Sequence, residues 1–535
     1  MIQRSRAGLA LGPIVGHTDH QSTRIWIQVD DDPAYYQLRV PRVGIFPFVS
    51  TEPETQEFGT AIALVQGLAS DCLHRYQVLR RGHITRWGNG SFRTMPPPDS
   101  HADITFVSIS CSEWRHDGAW PLLEQYLDQA KPRFLLMLGD QVYMDFGDSS
   151  ADRIWPWHLH STPTQRRQAM VLRYQQHWAR DVVRRILANY PIYMLWSDHE
   201  IRDGWGSWAS DSPTLQAKYP RGAQIAAAYN SYFYDAQDLY WHFQACHNPA
   251  PPNFIVTPPP RFRQAMPFVF RCGRLAVVML DDRGDRDLWR DSGAHALGHA
   301  QWMFLEQLLT FDLPCDIDVL VLAMQAPIVS MSPTGETMRL LADRVDDVDL
   351  FKQGNAEALL ALQESSASTS DMVYEVVVNR LLSRGTLPHS DYHLSDFDDA
   401  RDQWSHPYCR EEQEKIVRVA AVARTTNRPT GSPRRVMFVG GDIHSGALFD
   451  IRISDPMCTI PCVISSGIGQ SKRAVVGVKI DDEFEVAPGI WAELNQVVGD
   501  FNFAVTTIVF GGASPLVSST IAHPGMSNVY RVNLI

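Results

Sequence analysis

The sequence predicts an α/β protein that carries an all-β segment at its N-terminus. Three observations lead there. Residues 1 to 94 read as short strands between turns, whereas from residue 103 onward apolar runs alternate with amphipathic stretches of helical spacing. Several of those apolar runs end in glycine or serine followed by aspartate, histidine or arginine. Unbroken apolar strands belong to sheets covered on both faces, and the carboxyl ends of such strands are where α/β sheets bind ligands.

In the first segment, Thr23–Val29 alternates polar and apolar residues as a half-buried strand should, and His74–Arg80 and His83–Trp87 flank an Arg-Gly turn. Met95-Pro96-Pro97-Pro98-Asp99 cannot continue a sheet ladder, so 95–102 reads as a linker closing a small β-sandwich over 1–94. The second domain, 103–535, opens with the strand Asp103–Ile109, ending in Ser110-Cys111-Ser112. It continues with a helix over Pro121–Ala130, the strand Phe134–Leu138 and a long amphipathic stretch over about 164–189. Further strands follow at Ile192–Trp196, Leu275–Leu280, Asp318–Met324 and Val436–Val439, with a helix at Glu411–Ala423. The proline-bearing stretch 246–268 reads as a surface excursion. Residues 331–410, with a helical piece at Asp371–Ser383, read as an insertion capping the strand ends.

Composition narrows the function classes. At 535 residues, 44% hydrophobic and 20% charged, the chain is neither disordered nor fibrous. Its net charge of −12 disfavours a nucleic-acid duplex as partner. No stretch approaches the roughly 20 apolar residues of a membrane helix, and no long apolar stretch follows the arginines of Met1–Leu11, so a cytoplasmic protein is expected. The eight cysteines are scattered, and Cys458 and Cys462 lack the second pair that a zinc site needs, so reduced thiols are expected.

Three strand ends carry the chemistry. Gly139-Asp140-Gln141-Val142-Tyr143 aims an aspartate off a sharp backbone turn, although an aspartate there could simply cap the next helix. Ser197-Asp198-His199-Glu200 could be only a hydrogen-bonded pair, and Gly440-Gly441-Asp442-Ile443-His444 alone is a weak signal. Their order, each after an apolar strand, points to one cavity. Breaking a phosphate ester requires a nucleophilic oxygen to reach a phosphorus shielded by negative oxygens. Carboxylates and imidazoles holding two metal ions meet that need, through an acidified water and neutralised charge.

The ordered set Gly-Asp-Gln-x-Tyr, Asp-His-Glu, Asp-x-Arg (Asp281 to Arg283) and Gly-Asp-x-His resembles the PhoD-like alkaline phosphatases and phosphodiesterases, a branch of the calcineurin-like metallophosphoesterases. Ser110-Cys111-Ser112-Glu113 and Asp402-Gln403-Trp404 add to the likeness. The resemblance implies a metallophosphoesterase-type β-sandwich core flanked by helices, behind an N-terminal all-β domain of fibronectin III-like build. It implies hydrolysis of small phosphate mono- or diesters by a metal-bound hydroxide, with Fe3+ beside Ca2+, and zinc or manganese as alternatives. Cys111, Asp140, Tyr143, Asp198, Asp442 and His444 match the metal positions, His199 the group acting on the leaving oxygen or phosphate, and Arg283 a substrate-facing arginine. Asp203, Asp285 and Gln325 depart from the family pattern. Two rival readings are a metal-dependent hydrolase of another ester and an inactive binding protein on the same scaffold.

Other features have bland readings beside the sharp ones. Cys111 is either a ligand or a buried small hydrophobe. Trp205 and Trp208 either stack on an aromatic leaving group or cover core. His389, His393 and His406 read as surface histidines, and Asp396–Asp399 as a solvated face.

Overall fold

A computed structural model describes residues 9–52, 57–147, 153–155, 157–206, 222–252, 262–287, 295–330, 403–404, 409–426, 432–470, 482–512, 514–524 and 532–534. The expected insertion at 331–410, its three histidines and its acidic run lie almost wholly outside the described residues, as does Trp208.

Eight strands come first: β1 (Leu9–Thr18), β2 (Ser22–Val29), β3 (Tyr36–Val40), β4 (Gly44–Pro47), β5 (Val49–Ser50), β6 (Thr60–Gln66), β7 (Leu73–Arg80) and β8 (His83–Arg93). They form two antiparallel sheets of order β1-β2-β6-β5 and β4-β3-β7-β8. Ile25, Ile27, Ala61, Ala63 and Val65 of one sheet pack with Leu38, Val78 and Phe92 of the other. The two-residue period turns Trp26, between Ile25 and Ile27, to the opposite face. There it joins the core of the following region and donates its Nε1 hydrogen to the His242 carbonyl at 2.8 Å.

The remaining chain forms β9 (Ile104–Ile109), α1 (Trp120–Ala130), β10 (Phe134–Leu138), α2 (Pro163–Trp178), α3 (Asp181–Leu187), β11 (Ile192–Leu195) and α4 (Gly222–Phe243). Next come β12 (Phe268–Cys272), β13 (Leu275–Leu280), α5 (His299–Gln307), β14 (Val319–Met324), α6 (Arg410–Thr425), β15 (Arg435–Gly440), β16 (Gly446–Ser454) and β17 (Met457–Ile464). The last strands are β18 (Glu483–Ala487), β19 (Ile490–Val498), β20 (Phe503–Val509), β21 (Leu516–Ala522) and β22 (Val532–Leu534). One mixed sheet runs β11-β10-β9-β20-β21-β22 and the other β12-β13-β14-β15-β17-β16-β19-β18. Within them β9, β10 and β11 are mutually parallel, as are β13, β14, β15 and β17.

Side-chain alternation along these strands builds four layers. Phe134, Leu136 and Leu138 face Val277, Val321 and Val439 between the sheets. Leu135 and Met137 turn outward to Leu123 of α1, Tyr174 of α2 and Leu239 of α4. On the other side Val278, Leu320 and Phe438 meet Leu305 of α5 and Ile416 and Val417 of α6. The parallel strands are therefore buried on both faces, which explains their unbroken apolar sequences.

The single amphipathic stretch expected over 164–189 is two helices. Thr162 and Gln165 form a capping box at the start of α2. At Arg180 the backbone leaves helical geometry, with ψ 133°, and its guanidinium reaches the His116 carbonyl at 3.0 Å and Ser112 Oγ at 3.2 Å. Those bonds tie the helix break to the loop that follows β9.

Candidate metal centre

The carboxyl ends of β9, β10, β11, β13, β14, β15 and β17 bring Cys111, Asp140, Asp198, Arg283, Gln325, Asp442, His444 and Ser466 into one cluster, buried except at the half-buried His444. Cys111 Sγ lies 3.3 Å from Asp140 Oδ2, 3.1 Å from Ser466 Oγ and 3.6 Å from the Asp442 carbonyl oxygen. The Tyr143 hydroxyl lies 3.3 Å from Asp140 Oδ2 and 3.5 Å from His444 Nε2. Donor atoms of Cys111, Asp140 and His444 fall within 4.8 Å of one another, as do those of Asp140, Asp198 and His199. Asp140 belongs to both groups.

The backbone is strained where these donors sit. Cys111, Asp140, Asp442 and His444 have φ of 57°, 55°, 70° and 56°, in the left-handed region that residues with a Cβ avoid. Such conformations cost about 1–3 kcal/mol each and persist where the surroundings impose them, characteristically at functional sites. Gly139, with φ 87°, leads into the turn at Asp140 because a Cβ there would lie 2.6 Å from that of Ser197. Glu200 holds this turn together. Its carboxylate accepts the Asp140 amide at 3.0 Å, the Gln141 amide at 2.6 Å and the Ser197 amide at 2.8 Å, joining the ends of β10 and β11.

Burial dominates the electrostatics. It pushes the Asp140 carboxyl up to about 6 and Glu200 up to about 8. Burial, with the nearby Asp140 and Asp442, also raises the Cys111 thiol well above its ordinary range. Burial also works to raise Asp198, but Arg283, His199 and hydrogen bonds from Ser197 Oγ at 2.6 Å and the Gly204 amide at 2.7 Å hold it low. Burial would lower His199, yet Asp145, Asp198 and Asp140 outweigh it and hold the imidazole well above its ordinary value. His444 is pushed down to about 3 by burial and by His199.

Asp145 is a residue that the sequence reading missed. Its carboxylate lies 2.8 and 3.0 Å from His199 Nδ1, fixing the ring, and Oδ2 accepts the Asp203 amide at 2.6 Å. No motif marks it beyond its place five residues after Asp140. Ser466, which accepts the His444 amide at 2.7 Å, was likewise invisible until β17 was seen to end beside β15.

Arg283, expected to face substrate, lies within the same cluster. It is fully buried, with Nε donating to Gln325 Oε1 at 2.9 Å, Nη1 to the Trp205 carbonyl at 3.1 Å, and Nη2 3.6 and 3.7 Å from Asp198 and Asp442. Gln325 bonds to Asp442 through Nε2, linking arginine and carboxylate. Trp205 is buried and stacks on Phe233 at 5.2 Å, so it covers core.

An α/β enzyme with polar donors gathered at its strand ends is the class that fold and cluster define. Residues 106–466 match the sequence model of the PhoD-like phosphatases; the chain belongs to that family and is a phosphoric ester hydrolase. No curated protein matches the sequence. Among solved structures, one described as the structure of PhoD is similar at 13% identity, covering 99% of this chain and 93% of that one, with a TM-score of 0.56. The purple acid phosphatase PPD1 from yellow lupin (Lupinus luteus) seeds gives 10% identity over 97% of this chain and 72% of that one, with a TM-score of 0.47. Among the described residues no helix is long and apolar enough to cross a membrane.

Proposed function

We propose that the protein hydrolyses small phosphate mono- or diesters with two metal ions held by Cys111, Asp140, Tyr143, Asp198, Asp442 and His444. The observation that carries this is Asp140, shared between two donor groups on a strained turn, with its buried Oδ1 lacking any hydrogen-bond partner. A buried carboxylate oxygen without a partner is costly, and a cation meets its need. The donor set also fits: thiolate and phenolate beside carboxylates suit a trivalent, acidic metal, so iron with calcium is the proposed pair. When bound, the ions supply positive charge to the phosphoryl oxygens and an acidified water.

The chain's own groups complete the chemistry. His199, fixed by Asp145, gives a proton to the departing oxygen as its bond to phosphorus breaks and the oxygen of water forms the new one. Arg283 acts through Asp198 and Asp442, balancing their charge and orienting them. The machinery belongs to the proposed domain 103–535, behind a fibronectin III-like sandwich over 1–94. All eight cysteines are free, which supports a reducing, cytoplasmic setting.

The test is elemental analysis of the purified protein with hydrolysis of p-nitrophenyl phosphate and bis-p-nitrophenyl phosphate. Expected are bound iron, cleavage of at least one ester, loss of cleavage on chelation and its return with iron and calcium. Restoration by zinc or manganese alone would replace the metal pair. Protein that stays metal-free and inactive with all four metals would overturn the reading.

A further inference from the structure

We infer that Phe146, with Arg115 beside it, forms a subsite for the aromatic portion of a phosphate ester, so that the enzyme prefers phenolic esters to those of simple alcohols. The inference rests on the phosphoesterase reading above. Three rings form a ladder leading out of the donor cluster. His177, fixed by a 2.8 Å bond to the Ser112 carbonyl, lies parallel to Tyr143 with centroids 6.2 Å apart. Tyr143 stacks in turn on Phe146 at 5.0 Å and 9°. The first two rings are fully buried, whereas Phe146 is only half-buried. The ladder therefore ends in an aromatic surface at the rim of the site.

Its position matches a leaving group. The Phe146 ring centre is 5.0 Å from that of His199, and the Tyr143 ring it stacks on carries the hydroxyl 3.3 Å from Asp140 Oδ2. A leaving oxygen that takes its proton from His199 brings the attached ring against Phe146. Phe146 has no polar atom on its side chain, so what it gains from a ligand is apolar area and ring stacking. Arg115 adds charge: it is exposed, its Nε donates to the buried Glu113 at 2.8 Å, and its guanidinium carbon is 5.7 Å from the Phe146 centroid. Tyr143 stacks on the ring and the guanidinium overhangs it, so a bound aryl group meets the exposed part of the Phe146 ring with Arg115 beside it. Flat, electron-rich or anionic aryl groups suit the pair. Trp205, one of the two tryptophans weighed for this role in the sequence beside the core reading, is closed off in the core.

The test compares phenylphosphonate with methylphosphonate as competitive inhibitors of the full-length, metal-loaded enzyme. Wild type is expected to prefer the phenyl compound, and Phe146→Leu to lower the phenyl-to-methyl preference about tenfold, the size of one lost aromatic contact plus its buried area. Phe146→Trp, which keeps a ring, should retain the preference and guards against a folding defect in the leucine variant. An active wild type without phenyl preference, or equal weakening of both inhibitors by Phe146→Leu, would overturn the subsite alone. A wild type that cleaves no phosphate ester and binds neither phosphonate would overturn the phosphoesterase reading with it.

Discussion

Asp140 shows how one side chain can be worth more to function than to stability. The residue sits on a strained left-handed turn, and burial with the nearby Asp198 raises its carboxyl to about 6, disfavouring the charged form in the metal-free protein. Asp140→Asn removes the charge and keeps the shape, so the variant should stay folded. It should lose the metal that Asp140 shares and nearly all esterase activity, as should His444→Ala; circular dichroism beside metal analysis checks this. Loss of fold together with metal would assign these residues a structural role. Asp145 acts one step further out. Groups that orient a catalytic or ligating histidine typically contribute 10–100-fold. Asp145→Ala should therefore lower kcat by about that factor with little change in KM, and Asp145→Asn, still able to accept a hydrogen bond, should recover part of it. A change confined to KM would contradict the positioning role.

At the scale of elements, the legible parts were those whose physics is local. Phe134–Leu138 and Leu275–Leu280 coincide with β10 and β13 because both are apolar throughout and end at glycine or aspartate. The helix α4 went unread, although Tyr229, Tyr232, Phe233, Ala236, Leu239, Tyr240 and Phe243 recur at helical spacing and are all buried. The donor motifs were visible for the same local reason, whereas the Asp145–His199 bond and the triple grip of Glu200 depend on how strand ends meet. His247, which follows α4, illustrates such a contact. Its ring faces Trp26, and a Cβ on Gly16 would lie 2.4 Å from its carbonyl oxygen, so β1 packs directly on it. Burial lowers His247 to about 3, so the folded state holds it neutral and binds fewer protons than the unfolded chain. Its contribution is present above its ordinary value of about 6.5 and is lost as pH falls towards 3. The midpoint of thermal unfolding should drop over that window, and His247→Gln, which cannot titrate, should flatten the slope. An unchanged slope would place the acid sensitivity elsewhere, for instance at half-buried His17 of β1, which is lowered to about 4.

At the scale of the whole molecule, the N-terminal sheets and the α/β layers share a core. Trp26 of β2 packs edge-on to Trp178 of α2 at 6.3 Å and lies 5.6 Å from Phe243 of α4, within the same cluster that covers β10. The Tyr76 hydroxyl of β7 donates to the Ala188 carbonyl at 2.8 Å, and Arg184 of α3 reaches the Ala10 and Gly12 carbonyls of β1. These helices also back the strands whose ends carry Asp140 and Asp198, so loosening the junction should loosen the site. Truncating a buried tryptophan costs about 3–5 kcal/mol where the surroundings cannot collapse. Trp26→Ala should therefore lower stability by about that much, and calorimetry should still show one transition, because both regions lose the same contact surface. The variant should also bind metal less tightly, although Trp26 touches none of the donors. Two separated transitions, with metal affinity intact, would instead mean that the N-terminal sheets fold on their own and leave the donor geometry to the α/β layers.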